Sequence, residues 1–176
     1  MQYHQGRVAS ISELERRLES SGYGIGLRVL ELLALRAREA KRETRLMSIL
    51  QFVSSVAWKS LFGKSADSLE RSIDHSDEYM IVDYGPITST FVSVPSDLGQ
   101  LSADSFVSGI ISGILEGSGF PARVTAHTVR IDDAELNSSA RANYQPGTGL
   151  LPRKEKAVYL VKFAKEVLIR DAALDR

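Results

Sequence analysis

Residues able to bind a metal ion or transfer a proton are few and scattered along this chain of 176 residues. The histidines are His4, His75 and His127, and no pair has the spacing that places two imidazoles on one face of a helix or strand. His75 could hold a cation together with Asp77 and Glu78, but a polar turn before a strand explains these residues equally well. His127 lies in a predicted strand, where a hydrogen-bonded structural histidine is the commoner case. The spacing therefore predicts no metal centre.

Glycines are also present without the arrangement of a nucleotide-binding loop. Gly22, Gly24 and Gly26 resemble a phosphate-binding loop only superficially, because no predicted strand precedes them and the third glycine comes too early. Gly147 and Gly149 lack the lysine and hydroxyl residue that complete a Walker loop. The sequence predicts no nucleotide site.

The side chains of covalent catalysis and of calcium binding are missing or wrongly spaced. Cysteine is absent, which excludes thiol nucleophiles, disulfides, zinc thiolates and thioester-linked lipids on this chain. Asp132, Asp133 and Glu135 lack the spacing of a calcium loop, and we expect them to be solvated. We therefore expect neither an enzyme acting alone nor a bound cofactor.

Composition favours one soluble domain that binds other proteins. The 22 basic side chains balance the 22 acidic ones, so no basic excess would hold the chain on nucleic acid. No secretory signal is visible, and the longest apolar runs are too short to cross a bilayer. The length suits one well-filled core, and we expect a single domain over residues 1–176.

Helix signals dominate the first part of the chain. Ser12 with Glu15 forms a capping box, and Ser21-Gly22 would end that first helix. Gly63 would end the long third helix, and Ser65 would cap a short helix that follows it. The predicted helices are Glu13–Ser20, Ile25–Ala40, Thr44–Phe62, a short one through Leu69 to Ile73, Ala103–Gly117 and Ala164–Leu174.

Strand signals come later. We predict an antiparallel pair at Tyr79–Tyr84 and Phe91–Val94, and further strands at Ala122–Ile131 and Ala157–Phe163. A polar segment with glycine and proline, 135–156, is expected to be a mobile insert. The order indicates an α+β domain, in which helices cover at least one face of a small, mainly antiparallel sheet of four strands.

Gly109, Gly113 and Gly117 recur every four residues along one face of a predicted helix. An interior glycine costs about 1 kcal/mol relative to alanine, so a compensating contact is required. We expect the backbone of this helix to approach a sheet or a second helix closely.

The helix Thr44–Phe62 carries more apolar surface than one core needs. One broad stripe holds Leu46, Ile49, Leu50, Phe52, Val53, Val56, Ala57 and Leu61, and a second row across from it holds Met47, Trp58 and Phe62. Large exposed apolar patches mark interaction sites, so the second row predicts a docking surface. The alternative is a central helix that its own domain buries on both sides.

A run of cations separates this helix from the preceding one. It contains Arg36, Arg38, Lys41, Arg42 and Arg45, which outnumber Glu39 and Glu43. The run is either a basic patch facing a membrane or an acidic partner, or a solvated helix end whose cations lie favourably near carbonyl groups.

Several stretches together resemble a known family. They are TRLMSILQFVSSVAWKSLFGKSADSLE, DEYMI, FVSVPSDLGQLSADSFVSGIISGILEGSGFPARVTAHTV and VYLVKFAKEVL, in that order. They resemble a small subunit of the TRAPP (transport protein particle) vesicle-tethering complex, within the Bet-three-like superfamily and its Trs-thirty-one-type branch. The resemblance covers nearly the whole chain from Val8 to Ala173.

This resemblance implies a Bet-three-like α+β fold and assembly with other small TRAPP subunits. It implies a noncatalytic role in a guanine-nucleotide exchange factor for a Rab GTPase, acting in the cytoplasm and peripherally at cis-Golgi and ER-Golgi membranes, and in autophagy. Helices of the amino-terminal half pair with a neighbouring subunit in this family. The residues expected in that contact or beneath it are Ile49, Phe52, Val53, Val56, Trp58 and Phe62.

Two further expectations follow from the family likeness. Members of this branch usually begin with another helix before the position of Met1, so we expect the first helix to be incomplete here. A related branch holds a lipid-modified cysteine in an apolar channel, and that chemistry is impossible without a cysteine. A module that binds an acyl chain or another apolar ligand is the alternative function.

Overall fold

The computed structural model describes residues 10–37, 42–88, 92, 101–131 and 155–174. Helices and strands follow one another in the order α1 (Ile11–Arg36), α2 (Leu46–Gln51), a π-helical turn (Phe52–Ala57), α3 (Trp58–Phe62), β1 (Ser68–Arg71), β2 (Glu78–Asp83), α4 (Ser105–Gly117), β3 (Ala122–Arg130), β4 (Glu155–Phe163) and α5 (Lys165–Ala173).

The first helix is longer than the sequence predicts. α1 runs unbroken for 26 residues, whereas we expected a helix that stops at Ser21-Gly22 and a second one that starts at Ile25. That prediction is wrong because Gly22 is not a helix end: its Cα faces α4, where any β-carbon would collide with the carbonyl of Phe106. Ser21 stays inside the helix and donates its hydroxyl to the carbonyl of Arg17.

α1 and α4 pack with their backbones in contact. β-carbons at Gly109 and Gly113 of α4 would strike the carbonyls of Glu19 and Tyr23, and one at Gly26 of α1 would strike the carbonyl of Ile110. The expected close approach of the glycine-bearing helix is thereby confirmed, and its partner is a helix.

The four strands form one antiparallel sheet in the order β1-β2-β4-β3. β1 replaces the short helix expected between Ser65 and Ile73, because its residues pair with β2 from Ser68 opposite Val82 to Arg71 opposite Tyr79. Since β1 and β4 occupy both edges of β2, the expected pairing of β2 with Phe91–Val94 is wrong. Of that stretch, the described part is Val92 alone.

One apolar core lies between the helices and one face of the sheet. The π turn and its flanking helices contribute Leu46, Leu50 and Ala57, α4 contributes Ile111 and Ile114, and the sheet contributes Ile81, Tyr159 and Val161. The α+β architecture with a four-stranded sheet is as predicted.

The segment between β3 and β4 lies largely outside the described residues, and so do His4, Asp132, Asp133 and Glu135. The insert was expected to reach residue 156, but β4 already begins at Glu155, opposite Arg130. None of the described helices combines the length and the apolarity that crossing a membrane requires.

Candidate docking surface

The π turn decides which side chains of the central helical segment face the core. The carbonyl of Val53 accepts the N–H of Trp58, five residues on, where an α-helix would pair residues four apart. One additional residue in a turn rotates everything after it by about 100° relative to a regular helix. From Phe52 onward, the rows that a helical wheel assigns still hold for the buried Val53 and Ala57 but fail for Val56 and Trp58.

Trp58 illustrates the displacement. We expected it on an outward row, but it is 2% exposed and lies inside the core. Its ring meets the rings of Phe62 and Tyr159 edge-on, with centroids 5.0 and 5.4 Å away. Placing Trp58 outside was wrong because the π turn swings this residue inward and Val56 outward.

The residues expected in a subunit contact therefore divide by depth. Ile49 and Val53 are buried with Trp58, so these three support the surface from beneath. Phe52 and Phe62 are half-buried, and Val56 is 49% exposed. The structure leaves fewer apolar side chains outside than the two rows predicted.

Apolar side chains nevertheless remain exposed on the helices. Met47 is 45% exposed, and Phe52 is half-buried. Leu35 is 84% exposed on α1, a helix that contacts the π turn. Leu32 of α1 is also exposed. We call Leu32, Leu35, Met47, Phe52 and Val56 the helical outer face. Four of these side chains are exposed, and Phe52 is half-buried against the core.

The predicted basic patch is only partly as expected. Arg36 is exposed at the end of α1, and the guanidinium of Arg42 lies against Gly119. Arg45 forms an ion pair with Asp171 of α5, with 3.4 Å between Nε and Oδ1, so its charge is already compensated within the chain. Arg38 and Lys41 lie outside the described residues.

Two residues of α5 near the basic patch make contacts that the sequence did not predict. Arg170 places its guanidinium 4.5 Å above the ring of Phe120, next to Gly119 and Arg42. Asp171 accepts a hydrogen bond of 2.9 Å from the backbone N–H of Leu46, which caps α2 across 125 residues of sequence. Both contacts are long-range, so no local pattern could have revealed them.

A partly buried polar network lies around Asp83 at the end of β2. Lys64 Nζ lies 2.6 Å from Asp83 Oδ1 and 3.2 Å from Asp67 Oδ2. Burial lowers the pKa of Lys64, but hydrogen bonding and the charge of Asp83, followed by Asp67, outweigh it and the net shift is upward. Burial, followed by the charges of Asp104 and Asp83, raises the pKa of the Tyr159 phenol well above its ordinary value.

This network holds structural elements together. Asp67 accepts the backbone N–H of Tyr84, Asp83 accepts that of Gly85, and Asp104 accepts the hydroxyl of Thr88. Its carboxylates are thus engaged by a lysine, backbone amides and hydroxyls.

The possible cation ligands are already engaged in a similar way. His75, Asp77 and Glu78 bring ligand atoms within 4.8 Å of one another at the surface. Lys162 Nζ lies 2.8 Å from Glu78 and 3.7 Å from Asp77, and the hydrogen bond to Glu78 is the main cause of its raised pKa. His127 shares a 2.9 Å hydrogen bond with Thr125 on the surface of β3, a structural arrangement.

Comparison with known proteins gives a consistent picture. The model of the Transport protein particle (TRAPP) component family matches residues 1–143. A relative in Dictyostelium discoideum, "Trafficking protein particle complex subunit 5", is 45% identical over 98% of this chain and 83% of its own length. The Homo sapiens protein of the same name is 37% identical over 99% of this chain and 80% of its own length.

More distant relatives extend the same pattern. "Trafficking protein particle complex subunit 31" of Saccharomyces cerevisiae is 34% identical over 74% of this chain and 38% of its own length. A solved structure of complex subunit 3 from Naegleria fowleri, described as covalently bound to palmitic acid, shares the fold with a TM-score of 0.59 and 20% identity, over 88% of this chain and 82% of that one. By its sequence and its fold, the chain belongs to the TRAPP component family.

Proposed function

We propose that this chain is a noncatalytic scaffold subunit of a TRAPP complex and binds other small subunits through the helical outer face. The relatives' names as complex subunits support assembly. The observation that carries the location is the half-exposed Val56, which the π turn presents outward while the other side of the same segment is in the core. A specific interface buries about 1,200–2,000 Å² in total, so the five side chains would form only its centre.

The role in transport follows from the family. We propose that the assembled complex supports nucleotide exchange on a Rab GTPase and vesicle tethering between the endoplasmic reticulum and the Golgi, and in autophagy. This chain would contribute architecture, as a cytoplasmic subunit held peripherally at the membrane by the complex. The engaged carboxylates and the absence of cysteine agree with a noncatalytic role.

The basic patch has a separate proposed role. Arg36 and Arg42, together with Arg38 and Lys41, would face an anionic membrane or the GTPase. Near an anionic membrane surface each basic residue contributes about 1 kcal/mol. Arg45 is left out because of its ion pair with Asp171. Nothing in the described part of the chain favours the alternative function of apolar-ligand binding.

A charge on the helical outer face tests the scaffold role. Val56→Asp should weaken assembly with the other small subunits by about a hundredfold, because the carboxylate would be desolvated at the centre of an interface. The variant chain should still fold, since residue 56 is half-exposed. Co-expression followed by gel filtration and titration measures the loss.

Ile73→Asp is the matched control. Ile73 is fully exposed in the turn between β1 and β2, away from the helical layer, so this change should leave assembly intact. Equal assembly of the two variants would remove the helical outer face from the proposal. A wild-type chain that stays monomeric at micromolar concentration with its sister subunits would contradict the scaffold role itself.

A further inference from the structure

The outer edge of β3 is long and regular. β3 has nine residues, more than the five or six of an average strand, and its register against β4 is unbroken from Ala122 opposite Phe163 to Arg130 opposite Glu155. It contains neither glycine nor proline. Among the described strands, only β4 pairs with it, so one row of backbone N–H and C=O groups points away from the sheet.

The opposite edge of the sheet is protected in the usual way. β1 has four residues and ends in the charged pair Glu70 and Arg71. Short, charged edges resist pairing with another chain, whereas a long straight edge invites it. The two edges therefore differ in their readiness to accept a strand.

The carboxyl-terminal half of β3 is open on both faces. α4 lies against β3, where it buries Val124, but the four residues from His127 to Arg130 are all exposed. Because consecutive side chains in a strand point to opposite faces, four exposed residues in a row mean that neither face is covered there. No described helix or strand covers this half of β3 against an incoming strand.

The charge of β3 indicates what kind of segment fits. The strand carries Arg123 and Arg130 and no acidic residue, and neither arginine forms an ion pair within the described residues. Glu155 faces Arg130 in the register without coming within ion-pair distance. Lys162, which faces Arg123, is already engaged by Asp77 and Glu78. The two free cations complement an acidic partner.

We propose that β3 binds an extended acidic segment of another subunit, which adds a fifth strand to the sheet. The proposal rests on the scaffold function and adds a second subunit contact to it. This contact lies on the edge of the sheet, whereas the first lies on the helices. Backbone hydrogen bonds along the edge would supply affinity, and the arginines would supply selectivity. Arg123 and Arg130 lie an odd number of positions apart and so face opposite sides, which requires acidic side chains on both faces of the incoming strand.

Hydrogen exchange of the β3 amides tests the proposal directly. The chain is measured alone and in the complex reconstituted with its sister small subunits. Alternate amides between Ala122 and Arg130, those that point away from β4, should exchange at least tenfold more slowly in the complex. The amides that point toward β4 should change little, since β4 already protects them.

Charge reversal of an arginine on β3 is the second test of the proposal. Arg130→Glu should weaken assembly about tenfold, because an attractive cross-strand pair becomes a repulsive one. Lys165→Glu, which reverses the charge of another exposed residue at the start of α5, should weaken it less than twofold. Thermal unfolding of each variant alone establishes that the fold is retained.

The outcomes separate this proposal from the one on which it rests. Assembly with unchanged exchange along β3, or equal effects of the two reversals, overturns the edge-strand contact and leaves the scaffold function standing. Failure of the wild-type chain to assemble at all overturns both. Slowed exchange on alternate residues with a selective effect of Arg130→Glu supports both.

Discussion

Four glycines bring α1 and α4 into backbone contact. Gly22 and Gly26 on one helix and Gly109 and Gly113 on the other each face a carbonyl of the opposing helix. Each glycine costs the helix about 1 kcal/mol relative to alanine, and close packing of the two helices offsets this cost. Gly24, on the same helix, has no atom within 4 Å of its β-carbon position and provides an internal comparison.

Substitution by alanine should change the free energy of unfolding in opposite directions at the two kinds of glycine. Gly113→Ala should lower the free energy of unfolding by about 2 kcal/mol, because the methyl group strikes the carbonyl of Tyr23 and forces the helices apart. Gly24→Ala should raise it by up to about 1 kcal/mol through helix propensity alone. Urea unfolding monitored by circular dichroism measures both. Changes of the same sign and size would show that the close approach does not matter.

The sequence predicted correctly which glycines share a helix face, but it did not reveal the structural role of every glycine. The repeat of Gly109 and Gly113 predicted a close contact correctly, because the spacing itself places both on one helix face. Gly22 was mistaken for a helix end, since a glycine that ends a helix and one that admits a neighbouring helix look alike without the partner.

Among the elements, the segment from α2 to α3 is supported by residues distant in the sequence. Its π turn determines which residues face outward, and Asp171 of α5 caps its first turn. Neither feature has a local signature in the sequence: the π turn places Trp58 against Tyr159 of the distant β4, and the cap comes from the last described helix.

Removing the cap should loosen the start of α2. Asp171→Ala should lower the free energy of unfolding by about 1 kcal/mol, the usual cost of losing a helix cap, and the exposed pair with Arg45 adds little. Amide exchange at Leu46 should become faster. Asp171→Asn, which keeps an oxygen acceptor, should show a smaller effect. Glu166→Ala on the same helix serves as the control, and an equal loss there would argue against the cap.

The polar network makes the stability of the whole molecule depend on pH in the alkaline range. The phenol of Tyr159 has a pKa raised above its ordinary value of 10.0, first by burial and then by the charges of Asp104 and Asp83. A group whose pKa is raised on folding contributes stability that is complete below its unfolded pKa and is lost as the pH rises through the folded one. Lys64, with a raised pKa as well, acts in the same direction above its ordinary 10.5.

The free energy of unfolding should therefore fall above pH 10, at up to about 1.4 kcal/mol per pH unit for the buried Tyr159. Solvent screening makes the contribution of the partly exposed Lys64 smaller. Tyr159→Phe should make this decline shallower, although it also removes a hydrogen bond to Asp104 and lowers stability at neutral pH. Phe120→Leu, at another buried aromatic, should lower stability without changing the slope. Urea unfolding between pH 8 and 11 tests this, and a slope unaltered in Tyr159→Phe would contradict it.

Much of the architecture was predictable at this scale. β2, β3, β4, α4 and α5 were predicted near their observed positions because alternation, turn residues and helix ends are local signals. β1 was not, since SLER is too short and too polar to indicate a strand until β2 lies beside it. The residues expected at the subunit contact lie on α2, the π turn and α3, but which of them are exposed could not be identified without the π turn.

The cap from Asp171 to Leu46 also sets an order of events. The side chain that completes the first turn of α2 belongs to α5, 125 residues downstream of Leu46, and the ring that packs against Trp58 belongs to β4, which also follows this segment in the chain. During synthesis, the segment from α2 to α3 therefore leaves the ribosome before either support exists. Its native geometry cannot be completed until both β4 and α5 have emerged.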